Sequence, residues 1–280
     1  MPLISVVSLK GSPGVTTAAL ALATAWPVQR RLLAELDPAG GDLGVRLALP
    51  TGGGLAGLAT ASRRPESRPS VWPFAHELAG GVWVLPAPPG AEQASACLRT
   101  LATAGVLHQL AADATAGEAV MIADCGRLDP ASLTGQAGVL AGVVLVAVRP
   151  HLSDLAHVAG RLDAIRQQAD VTGLVLITGA GSPRADPAYP PDEVSQAFDA
   201  PVLGSLPPDP RGAAVLIAGR GQQIGAGRRL PLMRAARALA EAVADHLPPA
   251  SRAAPGPAPA DGHEAPATRQ PGTAPEVVAR

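Results

Sequence analysis

Eight consecutive residues, Lys10-Gly11-Ser12-Pro13-Gly14-Val15-Thr16-Thr17, carry the clearest chemistry in this 280-residue chain. They follow an apolar run, Ile4 to Leu9, and precede an Ala/Leu-rich stretch of helical character. The glycines therefore fall at a strand-to-helix turn. In that setting backbone N–H groups and a helix N-terminus converge on an anion, and glycine lets the chain approach closely. A hydroxyl at Thr16 or Thr17 stands at the helix start, either capping the helix or reaching a magnesium ion. The plainer alternative is a Gly/Pro turn of the kind common in α/β chains. Two carboxylates close other strands: Asp37, in Glu35-Leu36-Asp37-Pro38-Ala39-Gly40-Gly41-Asp42, and Asp124, before Cys125-Gly126-Arg127. A carboxylate at a strand's C-terminal end, beside a phosphate loop, is where a water-orienting group belongs. Each also reads as an Asp turn helped by glycine.

Lys10 is the only lysine among 22 Lys and Arg residues. A compositional bias that made every other cation arginine has spared this one. A compact ammonium on a slim stem suits a narrow phosphate site better than a planar fork does.

The elements that must position these groups are legible as alternation. Strands are expected at Leu3–Ser8, Arg31–Leu36, Val82–Leu85, Ala119–Asp124, Gly142–Val148, Leu174–Thr178 and Val202–Ser205. Helices are expected at Thr16–Ala25, Ala91–Ala114, Leu152–Gln168, Pro191–Phe198, Gly212–Ala218 and Leu232–His246, with a short one near Ala56–Arg63 in a segment otherwise hard to read. Several strands are apolar without alternation, as parallel strands covered on both faces are. The expected class is α/β, with a mostly parallel, doubly wound sheet and helices on both faces. With 47% hydrophobic and 2% aromatic residues, its core must be Ala, Val and Leu. From Pro248 the sequence turns to Pro, Ala and Gly, so residues 1–247 are expected to form the ordered domain and 248–280 a disordered tail.

A net charge of −1 gives no global argument for nucleic acid or membrane. One arginine-rich stretch (Arg211, Arg220, Arg228, Arg229, Arg234, Arg237) reads as a solvated surface or as a DNA or partner surface. Cys97 and Cys125 have no metal spacing and read as free thiols of a reducing compartment. The six histidines show no metal spacing either. Without a signal peptide or a spanning segment, a cytoplasmic location is expected.

The glycine loop departs from the ordinary P-loop pattern GxxxxGK[ST], since Leu9 stands for its first glycine and Val15 for its lysine. It resembles instead the deviant loop of the ParA/MinD family of P-loop ATPases, KGGxGKT[ST]. Lys10 falls on the signature lysine; Gly11, Gly14, Thr16 and Thr17 match; Ser12 replaces a glycine. Three further blocks follow in the family's order. Glu35 and Asp37 resemble the acidic pair of its switch I, which implies that Asp37 positions the attacking water. Ala119 to Gly126 resembles the Walker B and switch II element, which implies that Asp124 holds Mg²⁺ through a water and that the Gly126 N–H meets the γ-phosphate. Gly204 to Arg211 resembles the segment flanking the adenine, with Pro207 and Asp209 at the matching positions. The asparagine that often precedes it in the family is replaced by Thr178-Gly179-Ala180-Gly181.

The resemblance implies a switch that binds ATP and Mg²⁺ through Lys10, Gly11, Ser12, Pro13, Gly14, Val15, Thr16 and Thr17, forms a homodimer, and positions cargo such as DNA or a secretion or pilus machine. Its substituted loop is similar to those of TadZ/CpaE-like members. In sandwich dimers of the family the signature lysine reaches the opposite subunit's phosphates. Val15 cannot serve the phosphates as lysine does, so hydrolysis is expected to be weak or absent. The alternative is a nucleotide-independent adaptor that kept the fold. A dinucleotide oxidoreductase is disfavoured because Gly11 and Gly14 do not fit GxGxxG. The polar tail argues against direct membrane insertion.

Overall fold

The computed structural model describes residues 3–11, 13–27, 30–64, 69–107, 109–110, 119–128, 142–179, 188–218 and 229–247. The expected disordered tail at 248–280, together with Ser12, Arg220 and Arg228, lies outside them.

Eight strands form one sheet: β1 (Leu3–Ser8), β2 (Arg30–Glu35), β3 (His76–Leu78), β4 (Val82–Leu85), β5 (Ala119–Arg127), β6 (Val143–Val148), β7 (Val171–Ile177) and β8 (Val202–Leu206). Their order is β3-β4-β2-β5-β1-β6-β7-β8, and every pairing is parallel except β3 with β4 at one edge.

All six residues of β6 are buried because both faces of the sheet are covered. Val144, Val146 and Val148 join one core cluster, while Val143, Leu145 and Ala147 join the other. The first cluster includes residues of α3 (Gly54–Ala61), α4 (Ala91–Thr103), α5 (Leu152–Ala159), α6 (Leu162–Arg166) and α7 (Pro191–Phe198). The second is dominated by α1 (Val15–Ala25), α8 (Pro210–Ala218) and α9 (Pro231–Asp245). A strand filled on both sides has no polar face, which is why the sequence shows runs rather than alternation.

Four details differ from the sequence expectation. The helix expected over Leu152–Gln168 is two helices, α5 and α6, parted at Gly160, a poor helix former that takes the C-cap of α5. The helix expected over Ala91–Ala114 is interrupted after Thr103, where Gly105 turns left-handed at φ +71°; residues 106–107 and 109–110 are helical again, and 111–114 lie outside the described residues. A four-residue helix, α2 (Leu43–Arg46), follows the acidic segment after β2. The antiparallel edge strand β3 precedes β4.

Candidate functional site

Between β1 and β5 the chain divides the sheet. From β1 it winds outward through β2 to β4, returns to insert β5, then winds the other way through β6 to β8. Doubly wound sheets open a crevice at such a point, beyond the strands' C-terminal ends. The glycine loop leaves β1 there.

Gly11 (φ +63°) and Gly14 (φ +106°) both take left-handed backbone, which explains why the loop needs glycine at each. A Cβ at either position would meet no atom within 4 Å, so the loop's surface is open at both. Gly14 caps α1 with its carbonyl, which accepts the Ala18 N–H at 2.9 Å. No side chain caps that helix start and no acid stands in its first turn, so its leading N–H groups are available to an anion. Lys10 is exposed and forms no ion pair among the described residues. Val15, in the place of the usual lysine, is only 6% exposed and belongs to the aliphatic cluster of Ile4, Val6 and Ala147.

Asp124 lies opposite the loop at 2% exposure. A one-residue bulge in β5 creates its setting: Val6 pairs with Asp124, but Ser8 pairs with Arg127. Within the bulge Gly126 sits at φ +59° and donates its N–H to Asp124 Oδ1 at 3.1 Å. The Thr16 hydroxyl also hydrogen-bonds the Asp124 carboxylate, so of the two candidate threonines it is Thr16 that faces the acid. Asp37 arrives from β2. Its Oδ1 accepts the Ala39 N–H at 2.8 Å, and its Oδ2 lies only 1.8 Å from where a Gly126 Cβ would stand. Thr16, Asp37, Asp124 and Gly126, drawn from three separate segments, thus meet at one mouth.

No family model matches the sequence, and no curated protein sequence matches it. Solved structures do. The septum site-determining protein MinD of Pyrococcus horikoshii, complexed with Mg-ADP, superposes with a TM-score of 0.64 at 20% identity, over 86% of this chain and 95% of that one. A ParA family ATPase from Chlorobium tepidum gives 0.67 at 15% identity, over 88% and 99%. The ATP complex of a Cyanothece McdA variant gives 0.60 at 16%, over 87% and 96%. The chain has the MinD/ParA fold.

Within this MinD/ParA fold a second feature adjoins the glycine loop, a cleft of about 270 Å³. Pro13, Gly14 and Thr17 form one side, and Ile177, Pro207 and Asp209 are on its lining too. Its largely apolar wall suits a planar base. Both Asp209 oxygens already serve the backbone: Oδ1 accepts the Gly212 N–H at 2.9 Å and Oδ2 the Leu232 N–H at 3.1 Å. Asp209 therefore ties the start of α8 to the start of α9 and shapes the wall. Thr178 turns its hydroxyl back onto the Leu206 carbonyl at 3.3 Å.

The residues fit a magnesium nucleotide. A threonine hydroxyl and a carboxylate are the hard oxygen donors that magnesium takes in small number beside water and phosphate. No three His, Cys, Asp or Glu among the described residues are grouped to hold a metal by themselves. Magnesium held at Thr16 and Asp124 would therefore depend on phosphate and water for its remaining ligands.

Sequence reading matched Glu35 only to an acidic position and missed its setting. It is buried at 2% exposure and bonded to three backbone N–H groups. Nothing local in an apolar strand ending with an acid signals those donors, which come from 7, 8 and 52 residues away.

Burial raises three carboxyls at this mouth. It pushes Glu35 up to about 7 against the pull of its three N–H donors. It pushes Asp124 up to about 6 against the Thr16 and Gly126 bonds, and it raises Asp37 as well. Exposed Glu and Asp stand at 4.5 and 3.8. Between those values and the raised ones the folded chain holds more protons than the unfolded chain, so stability falls as pH rises through that window. Metal-free, nucleotide-free protein is expected to melt about 5 °C lower at pH 8 than at pH 5.5. Thermal unfolding followed by circular dichroism measures this; a Tm that rises over the same interval contradicts it.

Proposed function

We propose that this protein is a nucleotide-operated switch of the ParA/MinD type, which binds ATP with Mg²⁺, dimerises, and positions a cargo. One observation carries the reading: Thr16, Asp37 and Asp124 converge beside a glycine loop whose helix start is uncapped. Core packing does not require three polar side chains at one crevice.

The backbone around Gly11 to Thr16, Ser12 and Pro13 included, receives the phosphates. Thr16 and Asp124 hold the magnesium ion, which supplies charge neutralisation on phosphate oxygens when bound. Asp37 orients a water, and Gly126 keeps Asp37 and Asp124 in register. Pro207 flanks the base, with Thr17 across the cleft. Lys10, exposed at the rim, supplies the cation that Val15 does not, in its own subunit or across a dimer. Turnover is slow for want of a loop lysine. The likeness of fold to a MinD structure with Mg-ADP and a McdA structure with ATP supports the choice of ligand.

Dimerisation is supported by the large exposed apolar residues. Among the described residues these are Val45, Leu152 and Tyr189. Each belongs to a segment leaving the C-terminal end of a strand (β2, β6 and β7), the edge that carries the glycine loop. The Tyr189 N–H also donates to the Pro150 carbonyl at 2.7 Å, joining two of those segments. The cargo is a DNA locus or a secretion or pilus machine, as for TadZ/CpaE-like proteins. Exposed Arg211, Arg229 and Arg234 on and beside α8 and α9 are the cations available to DNA. No helix among the described residues is long and apolar enough to cross a membrane; a cytoplasmic location goes with the proposal.

The burial of Val15 favours a second reading, a nucleotide-independent adaptor. Light scattering coupled to gel filtration separates the two. Mg-ATP is expected to shift the native protein from the 28.0 kDa of one chain toward twice that, and Lys10→Ala to prevent the shift. A mass indifferent to Mg-ATP favours the adaptor.

A further inference from the structure

We infer that Glu35 is a positioning residue for Asp37: a buried carboxylate that straps the segment carrying Asp37 to the exit of β4. The inference rests on the reading of Asp37 given above, but the strap itself is a property of the chain without nucleotide.

Asp37 follows two residues after Glu35, the last residue of β2. A carboxylate at 2% exposure must be hydrogen-bonded or lose its hydration without compensation. No cation pairs with Glu35 among the described residues. Its partners are backbone N–H groups. Oε1 accepts those of Asp42 and Leu43, and Oε2 that of Ala87, each at 2.9 Å. The first two open α2, whose N-cap residue Asp42 makes no side-chain cap of its own. Glu35 therefore caps α2 from seven residues upstream. The third belongs to the segment after β4, 52 residues away.

Other contacts press the same two segments together. A Gly41 Cβ would lie 2.3 Å from Glu35 Oε2, so the chain passes directly against the carboxylate. The Gly41 N–H donates to Pro88 O at 3.0 Å, and Ser95 Oγ on α4 donates to Pro38 O at 3.0 Å. Behind Asp37, the Leu36 N–H donates to Asp124 O at 2.7 Å. Asp37 is thus anchored to β5 on one side and to Glu35 through Asp42 and Leu43 on the other. An apolar side chain could fill the volume of Glu35 but would leave three N–H groups without an acceptor.

Two variants test the strap. Glu35→Gln keeps the shape and replaces an acceptor oxygen with an NH₂ group, which cannot accept. Gly41→Ala pushes on the same carboxylate from the opposite side. Amide hydrogen exchange on nucleotide-free protein is read first. In Gly41→Ala the amides of Asp42, Leu43 and Ala87, and in Glu35→Gln at least those facing the NH₂ group, are expected to exchange about tenfold faster or more, while β1 and β5 keep their rates. Unchanged exchange at those three amides overturns the strap. Equal acceleration in β1 and β5 also overturns it, because Glu35 would then serve only global stability. Steady-state ATP turnover is read second. Turnover at saturating Mg-ATP is expected to fall about tenfold or more with KM for ATP within about threefold. Local loosening with undiminished turnover overturns the positioning role. If wild-type protein neither binds nor hydrolyses ATP, the proposed function fails, and the exchange arm still decides the strap.

Discussion

Replacing Gly126 with alanine is expected to cut ATP turnover about 100-fold or more. Two independent features of the residue demand it. Its φ of +59° lies where an L side chain costs roughly 1–2 kcal/mol. Its Cβ would stand 1.8 Å from Asp37 Oδ2 and 2.1 Å from Asp37 Cγ, distances at which one group must leave. Asp37 cannot swing freely, because its Oδ1 is held by the Ala39 N–H. If Gly126 yields instead, its N–H leaves Asp124 Oδ1 and the acid opposite Thr16 loses a partner. Either response separates the groups that the proposed chemistry needs together. Single-turnover hydrolysis and thermal melting measure the two effects, with Tm expected to fall by a few degrees. A variant with native turnover contradicts the assignment of Asp37.

Val15→Lys is expected to tighten Mg-ATP binding by about 10- to 100-fold, the value of a charge-assisted contact of roughly 1.5–3 kcal/mol. Val15 opens α1, where a Cβ tilts back toward the helix N-terminus and hence toward the glycine loop. It is 6% exposed among aliphatic neighbours. A lysine stem can occupy that apolar volume while its ammonium emerges at the loop. Without nucleotide the same variant is expected to melt lower, having exchanged a packed β-branched residue for a flexible cation. Calorimetric titration with Mg-ATP gives the affinity. Unchanged affinity with a collapsed Tm would mean that position 15 is closed to the loop, which favours the adaptor reading.

What the sequence conveyed follows from which forces are local. Strands such as β6 are legible because burial on both faces makes every residue apolar, and that pattern survives in a bare string. The edge strand His76-Glu77-Leu78 has three residues and one covered side, so neither period nor run announces it. The four residues of α2 are too few for a helical pattern, and that helix is capped by Glu35 rather than by its own Asp42. The division of the 152–168 segment rests on Gly160, a weak signal within an otherwise helical pattern.

The candidate site divides in the same manner. Glycines at a strand-to-helix turn and acids at strand ends are local features, so Lys10, Asp37 and Asp124 are visible without a fold. The choice of Thr16 over Thr17 needed the azimuth of α1. The packing of Asp37 on Gly126 needed β2 and β5 side by side in register. Asp209 is legible only as an acid in a Pro-rich loop after a strand; its work, holding two helix starts, depends on a contact 23 residues away.

The most direct test is calorimetric titration of the native protein with ATP, in Mg²⁺ and again with the metal chelated. One site per chain is expected, with Kd between about 10 µM and 1 mM, weakened or lost when Mg²⁺ is removed because Thr16 and Asp124 then have no ion through which to reach the phosphates. No heat of binding at millimolar Mg-ATP would contradict the nucleotide switch.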